Sequence, residues 1–300
     1  MRRAVPPGGT MEPTRLNLFR LAIAIGIFGC AMILLALPPA GRASASAPSG
    51  LASYVTATFP VATEATYEVP GRGTRTITLE GIATVLFDRY VLTVAHAVSR
   101  ARLEEGIRYS EQSAGIPHAA RSFQESTYLL LPAGRAPLEP LVRNEEVDVA
   151  LFELPRDVST PALPCAIGDS DALRLGGPVL LVERDVVAGP LVRPAAVAAL
   201  RGSKKTATLA PSGQTFILTL GLVAGESGSP LLLSDERSCE LVGLAQGTYV
   251  GPRQLAWGIR VREAMEALAE AAGPGRLPGF FEAVCQAAVR PEAFTFCSAR

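Results

Sequence analysis

The stretch GESGSP, residues 225–230, separates two apolar runs in the last third of the chain. Gly and Ser are ordinary turn residues, so this stretch can be a tight connection between two buried strands. A Gly-x-Ser-Gly turn can also present a serine hydroxyl as a nucleophile. In that case the backbone N–H groups of Gly225 and Ser227 must point together at one developing oxyanion, a geometry that glycine favours. This second interpretation requires a base and a carboxylate elsewhere in the chain.

Two residues could supply those groups. His96 ends the apolar run VLTVAHAV (91–98), and Asp148 lies at the start of VDVALFEL (147–154). Taken singly, each has a structural explanation: a core histidine, a residue at a strand start, a turn serine. The three occur in the order His, Asp, Ser, with separations of 52 (148 − 96) and 79 (227 − 148) residues, so each can come from a different β element. A histidine oriented by a carboxylate can take the proton of a serine hydroxyl.

Short apolar or alternating runs, divided by many of the 28 Gly and 24 Pro, follow one another along the chain. They are TRTITLE (74–80), GIATVLF (81–87), YVLTVAHAV (90–98), STYLLLP (126–132), VDVALFEL (147–154), GPVLLVER (177–184), TATLA (206–210), TFILTLGLV (215–223), SPLLLS (229–234) and CELVGLAQG (239–247). Such spacing is typical of an all-β sandwich or barrel pair. We find no internal sequence repeat.

Two segments break the strand pattern. Residues 96–126 indicate a loop with a short helix. VREAMEALAEAAG (261–273) has apolar residues at helical spacing and ends at a glycine before Pro274, so it predicts a helix. The tail after it contains four phenylalanines, which we expect to pack back onto the body because exposed aromatics are unfavourable.

The runs VLTVAHAV, DVALFEL and GESGSPLLL together resemble the three signature blocks of the trypsin-like (chymotrypsin-fold) serine proteases, in that family's order. IGDSDALRLGGPVLLVE (167–183) is also similar to the segment that leads into the second barrel of bacterial HtrA-type members. The resemblance covers residues 51–270. It implies an all-β fold of two six-stranded antiparallel β-barrels with a C-terminal helix.

The implied domains follow from this fold. Residues 46–155 form the first β-barrel, residues 156–262 the second, and residues 263–300 the C-terminal helix and tail. The active site would lie in the cleft between the barrels.

The resemblance implies a serine endopeptidase that acts on proteins or peptides through an acyl-enzyme intermediate. His96 would be the general base and then the general acid, Asp148 its orienting carboxylate, and Ser227 the nucleophile. The N–H groups of Gly225 and Ser227 would form the oxyanion hole. No cofactor is expected. Two alternatives stay open: a catalytically silent protein of the same fold that binds a partner through its cleft, and an esterase with the same three residues.

The sequence departs from the family at three positions. Ala97 replaces the cysteine that usually follows the histidine, and Glu226 replaces the usual Asp or Asn before the serine. Ser229 replaces the last glycine of the motif, a variation similar to glutamyl endopeptidases. No basic cleavage site is followed by Ile-Val-Gly-Gly, so we do not expect activation by a new N-terminus that pairs with Glu226.

The predicted substrate pocket includes Gly221, Leu244, Ala245 and Gln246. Gly221 stands six residues before Ser227, where trypsin itself has an aspartate. An uncharged pocket floor favours small or medium apolar side chains before the scissile bond. The alternative is that Arg260 lines the pocket and favours an acidic residue.

The first 45 residues predict an export signal. Arg15 and Arg20 precede the uncharged run LAIAIGIFGCAMILLAL (21–37), and Ala-Ser-Ala at residues 43–45 fits a cleavage site. We therefore expect a secreted or periplasmic protein. The alternative is an uncleaved membrane tether formed by residues 21–37.

Four cysteines lie outside that segment, and an even number in an exported chain indicates two disulfides with three alternative pairings. We predict the pairs Cys165 with Cys239 and Cys285 with Cys297; the alternative is four free thiols. With two histidines and no C-x-x-C, a metal site is not expected. Acidic and basic residues both total 28, which argues against nucleic-acid binding, and we expect a monomer.

Overall fold

Alternating and continuous apolar runs form two antiparallel β-sheets. The computed structural model describes residues 51–116, 122–185, 189–201, 214–234, 238–249 and 254–298. The predicted export signal and the predicted strand TATLA (206–210) lie outside the described residues.

Within the part of the chain that the structure describes, the first sheet has seven strands in the order β5-β4-β1-β2-β3-β7-β6. They are β1 (Thr58–Val69), β2 (Gly73–Leu86), β3 (Tyr90–Thr93), β4 (Gln124–Leu131), β5 (Gly134–Pro137), β6 (Glu139–Asn144) and β7 (Val149–Glu153). Only Leu138 separates β5 from β6, although these strands are the two edges of the sheet. One bent segment therefore joins the edges, and the sheet must curl back on itself.

The second sheet closes into a six-stranded barrel, because β12 pairs with both β9 and β13. Its strands are β8 (Ala166–Ile167), β9 (Pro178–Asp185), β10 (Gly189–Ala199), β11 (Thr215–Leu218), β12 (Pro230–Ser234), β13 (Cys239–Tyr249) and β14 (Leu255–Arg260). The two-residue β8 lies outside the ring and pairs with β13 in parallel.

The described residues also form five α-helices. They are α1 (Leu51–Thr56), α2 (Arg100–Ser113), α3 (Val261–Ala272), α4 (Pro278–Ala287) and α5 (Thr295–Ser298). Helix α3 confirms the helix predicted from its apolar spacing. Helix α2 has 14 residues and is longer than the short helix expected there. It buries Leu103 and Ile107, one turn apart, in one apolar cluster with Ala65 and Tyr67 of β1, and this burial stabilises the helix.

A continuous core joins the two sheets. It contains Leu92 and Leu151 of the first sheet, Leu232 and Leu244 of the second, and Met265 of α3. All five side chains are fully buried. Helix α3 therefore packs against both sheets at once and fixes one relative to the other.

The C-terminal tail packs onto the first sheet, as predicted. The Phe280 ring lies 4.9 Å from the Tyr90 ring and 5.2 Å from the Phe281 ring, and Phe281 lies 5.0 Å from Phe296. Phe294 is also buried.

Both predicted cysteine pairs are formed. Cys165 joins Cys239 with 4.7 Å between Cα atoms, and Cys285 joins Cys297 with 5.7 Å. The second bond holds α4 to α5. None of the described helices is long and apolar enough to cross a membrane.

Candidate active site

His96, Asp148 and Ser227 lie just outside the strands of the two sheets. His96 belongs to a 3₁₀ turn, Ala95–Val98, just after β3. Its neighbours Ala95, Ala97 and Val98 are buried, which fixes the turn in the core and leaves the imidazole partly exposed. Asp148 directly precedes β7, and Ser227 lies in the connection between β11 and β12, residues 219–229, which we call the Ser227 loop.

His96 and Asp148 make two short contacts. The Asp148 Oδ1 atom accepts a hydrogen bond from the backbone N–H of His96 at 2.7 Å, and Oδ2 lies 2.7 Å from His96 Nδ1. A carboxylate at Nδ1 favours the tautomer that carries its proton there, which leaves Nε2 as the acceptor. Asp148 has φ of +66°, a left-handed conformation that non-glycine residues rarely adopt and that concentrates at functional sites.

Gln246 makes a third contact with Asp148. Its Nε2 donates to Asp148 Oδ2 at 3.1 Å and to the carbonyl of Val147 at 3.2 Å. The amide is buried. The sequence placed Gln246 in the substrate pocket, whereas the structure shows its side chain turned toward the carboxylate.

The backbone of Ser227 is fixed between the two sheets. Its carbonyl accepts from the N–H of Ile82 in the first sheet at 2.7 Å, while the N–H of Gly228 donates to Ala245 in the second sheet at 2.7 Å. Gly228 has φ of +95°, and a Cβ there would lie 2.0 Å from the Ile82 carbonyl oxygen. Only glycine fits this close approach.

The Ser227 hydroxyl donates to the backbone carbonyl of Gln246 at 3.0 Å. Within the described residues it forms no hydrogen bond to His96. The structure thus brings His96 and Asp148 into direct contact and links Ser227 to them through Gln246. Catalytic hydrogen bonds are often incomplete in structures without substrate, so this arrangement is compatible with a resting active site.

The turn around Ser227 leaves two donors available. The N–H groups of Glu226 and Ser229 donate inside the loop, to Val223 and Glu226 respectively, each at 3.2 Å. Among the described residues, the N–H groups of Gly225 and Ser227 donate to no acceptor. Gly225 has φ of +92°, as a sharp turn of the peptide requires.

The predicted pocket residues differ in how they are placed. The side chains of Leu244 and Ala245 are fully buried in the core, so any contact with a substrate would come from their backbone. Gly221 lies next to Gln254, since a Cβ at position 221 would come within 3.0 Å of the Gln254 Cβ. The assignment of these residues to a substrate pocket stays a prediction.

Arg260 is engaged elsewhere. Its guanidinium donates to the carbonyls of Ser170 and Leu200, the latter at 2.6 Å. These contacts do not favour its use in selecting an acidic substrate side chain. The described residues include no group of three or more His, Cys, Asp or Glu side chains that could hold a metal ion.

Sequence reasoning missed the partners of three carboxylates. Gln246 supports Asp148, and Arg193 pairs with both Glu226 and Glu183. The available signal was a polar side chain inside an apolar run, Glu183 in GPVLLVER and Gln246 in CELVGLAQG. A buried polar residue requires a partner.

Comparison with solved structures identifies the architecture. The HtrA-type protease AlgW, solved with a decapeptide, matches with a TM-score of 0.51 over 73% of this chain and 65% of its own, at 16% identity. The Rv3671c protease from M. tuberculosis, in its active form, matches with a TM-score of 0.50 over 77% of this chain and 87% of its own, also at 16% identity. The chain has the chymotrypsin-like two-barrel fold.

These similarities concern the fold. The chain spans about two thirds of AlgW. No protein-family model matches the sequence, and no curated protein matches it either.

Proposed function

We propose that the protein is an exported serine endopeptidase that hydrolyses peptide bonds through an acyl-enzyme intermediate on Ser227. The observation that carries the proposal is the pairing of His96 with both oxygens of a buried carboxylate, in contact through Gln246 with a serine held between the two sheets. A serine-type hydrolase needs these groups in this order: nucleophile, base and orienting acid.

The first half-reaction begins when the Ser227 hydroxyl turns from the Gln246 carbonyl to Nε2 of His96. His96 takes the proton as Oγ attacks the substrate carbonyl carbon. The oxyanion of the tetrahedral intermediate accepts from the N–H groups of Gly225 and Ser227. His96 then gives the proton to the leaving amine, the C–N bond breaks, and the acyl group stays on Ser227.

The second half-reaction uses water. His96 takes a proton from the water as the water oxygen attacks the acyl carbon, and returns that proton to Ser227 Oγ when the ester bond breaks. Asp148 holds the imidazole in place and stabilises the imidazolium as it forms. Three N–H groups, two from His96 and one from Gln246, fix the orientation of the carboxylate.

Substrate and location form the finer part of the proposal. AlgW was solved with bound peptides, which supports peptide substrates here. The two disulfides support an oxidising compartment, hence secretion or the periplasm. An uncharged Gly221 supports small or medium apolar side chains before the scissile bond.

Fluorophosphonate labelling of the purified full-length protein tests this proposal. We expect one adduct, mapped to Ser227 by mass spectrometry and absent from Ser227→Ala. Parallel assays with a peptide library and with small acyl esters then separate an endopeptidase from an esterase. A folded protein that takes up no label would support the catalytically silent alternative and overturn the proposal.

A further inference from the structure

Three charged side chains meet behind the Ser227 loop. Arg193 of β10 lies between Glu226 of the loop and Glu183 of β9. Its Nη2 donates to Glu226 Oε2 at 2.6 Å and to Glu183 Oε2 at 3.0 Å. Its Nε lies 2.7 Å from Glu183 Oε1, but the N–H direction misses that oxygen, so this contact is an ion pair without a hydrogen bond.

The cluster is largely shielded from water. The Glu183 side chain is 3% exposed and the Glu226 side chain 15%, while Arg193 reaches the surface at 34%. Ion pairs at such sites differ from exposed ones, because loss of one partner leaves a charge that water cannot stabilise.

The same guanidinium also reaches the first part of the loop. Arg193 Nη1 donates to the carbonyl of Gly221 at 3.4 Å. Glu226 Oε2, which Arg193 binds, accepts in turn from the N–H of Val223 at 2.8 Å. One cation therefore ties together residues 221, 223 and 226, in a segment that has no regular secondary structure of its own.

We infer that Arg193 is the positioning residue of the Ser227 loop: by holding Glu226, it orients the N–H groups of Gly225 and Ser227 for the oxyanion. This inference rests on the proposed function. Glu226 stands between those two residues: the Ser227 N–H belongs to a peptide group that Glu226 itself forms, and the Gly225 N–H lies one peptide group earlier, so a shift of the Glu226 backbone displaces both. The guanidinium comes from the chain's own β10, so the loop needs no newly cleaved N-terminal amine.

Removal of the cation has a direct physical consequence. Glu183 and Glu226 would face each other without a positive charge between them, and two neighbouring carboxylates shielded from water repel when both are ionised. Glu183 is fixed in a strand, whereas Glu226 lies in a loop. Glu226 is therefore the group that would move toward water, and the oxyanion hole would be lost with it.

The test compares Arg193→Gln with Arg193→Lys in the full-length protein. Arg135→Gln is the matched control, because Arg135 pairs with Glu64 at 2.7 Å on the exposed surface. We expect Arg193→Gln to lower the fluorophosphonate labelling rate and kcat by about 100-fold or more, the scale of losing an oxyanion-hole donor, with KM little changed. Arg193→Lys should recover part of the rate, since an ammonium pairs with one carboxylate but cannot bridge two.

Amide hydrogen exchange provides a readout that does not depend on activity. In Arg193→Gln, exchange of peptides spanning residues 219–229 should be faster than in the unaltered protein and in Arg135→Gln. If the unaltered protein takes up no label, the proposed function fails and exchange alone decides the role of Arg193. A folded Arg193→Gln with unchanged labelling and unchanged exchange would overturn the inference.

A second variant covers the case in which Arg193→Gln does not fold. Glu226→Met removes the loop anchor and leaves Arg193 paired with Glu183. The same loss of labelling and the same faster exchange are expected. Labelling at the unaltered rate in this variant would equally contradict the inference.

Discussion

Asp148 owes its position to hydrogen bonds from both sheets. His96 lies in the turn that follows β3 of the first sheet, Gln246 lies in β13 of the second, and both donate to the one carboxylate. A residue with φ of +66° requires such support, because its backbone conformation is unfavourable by itself. The carboxylate is thus held at the junction of the two sheets.

The Gln246 contact can be tested by Gln246→Met, which keeps the length of the side chain and removes the donor. Loss of a buried hydrogen bond to a charged group should lower the free energy of unfolding by about 1–3 kcal/mol. A loss of about 1.4 kcal/mol in the stabilisation of the catalytic transition state would lower kcat about tenfold. Gln112→Met, on the exposed face of α2, is the control in denaturation and rate measurements. Unchanged stability and kcat in Gln246→Met would show that the contact is incidental.

Gly228 gives a second test at a single position. In Gly228→Ala the new Cβ would meet the Ile82 carbonyl at 2.0 Å, and the backbone would keep φ of +95°. We expect the free energy of unfolding to fall by about 3 kcal/mol or more, because backbone strain and overpacking act together.

The control is Gly71→Ala, which has φ of +72° but no atom within 4 Å of the new Cβ. It should cost about 1 kcal/mol, from the backbone conformation alone. Equal losses in the two variants, measured by urea denaturation, would exclude the close approach as the reason for glycine at 228.

At the scale of elements, the β9–β10 hairpin places Glu183 beside Arg193. Glu183 pairs with Leu191 and Arg193 with Leu181, so the two charged residues are diagonal neighbours on one face. Burial is the main cause that raises the pKa of Glu183 from 4.5 to about 7; the nearby Glu226 carboxylate also raises it, and Arg193 lowers it. Glu183 and Glu226 also line a cavity of about 350 Å³, and two further charged residues, Glu80 and Arg184, line it with them. The Arg184 guanidinium donates to the carbonyls of Thr58 and Val55.

This raised pKa makes stability depend on pH. Between the ordinary value of 4.5 and about 7, the folded protein holds a proton on Glu183 that the unfolded chain has lost. The free energy of unfolding should therefore fall as pH rises through this range and level off above it, by a total on the order of 3 kcal/mol. Glu183→Gln has no carboxyl group to titrate at this position, so its free energy of unfolding should not show this fall. Between pH 4.5 and pH 7 the unaltered protein should therefore lose stability relative to Glu183→Gln. Parallel stability curves in urea denaturation would contradict the assignment.

The elements show what sequence can and cannot predict. Strands such as VDVALFEL and helix α3 follow from local periodicity, because each pattern reports a buried face. The extent of α2 does not, since Leu103 and Ile107 are stabilised by β1, some 40 residues earlier in the chain. Local sequence also does not predict which strands form the edges of the first sheet, because β5 and β6 reach opposite edges through the bend at Leu138.

At the scale of the whole molecule, the candidate site exists only where the two sheets meet. Residue type, order and the family resemblance led to the prediction of His96, Asp148 and Ser227 as a group, and their catalytic roles stay a proposal. The supports of the site could not be predicted in this way, because Gln246 and Arg193 reach their partners only through the register of the second barrel and its position against the first. The domain boundaries near residues 155 and 262 stay predictions.

The measurement that tests the central claim most directly is residual kcat/KM on a peptide substrate for Ser227→Ala, His96→Ala and the double variant. The effects of mutating residues that act as one unit do not add. Each single change should lower kcat/KM by about 10³-fold or more, and the double variant should be no less active than the less active of the two single variants. Activity that survives in Ser227→Ala, or losses that multiply in the double variant, would show that these two residues do not share one catalytic site.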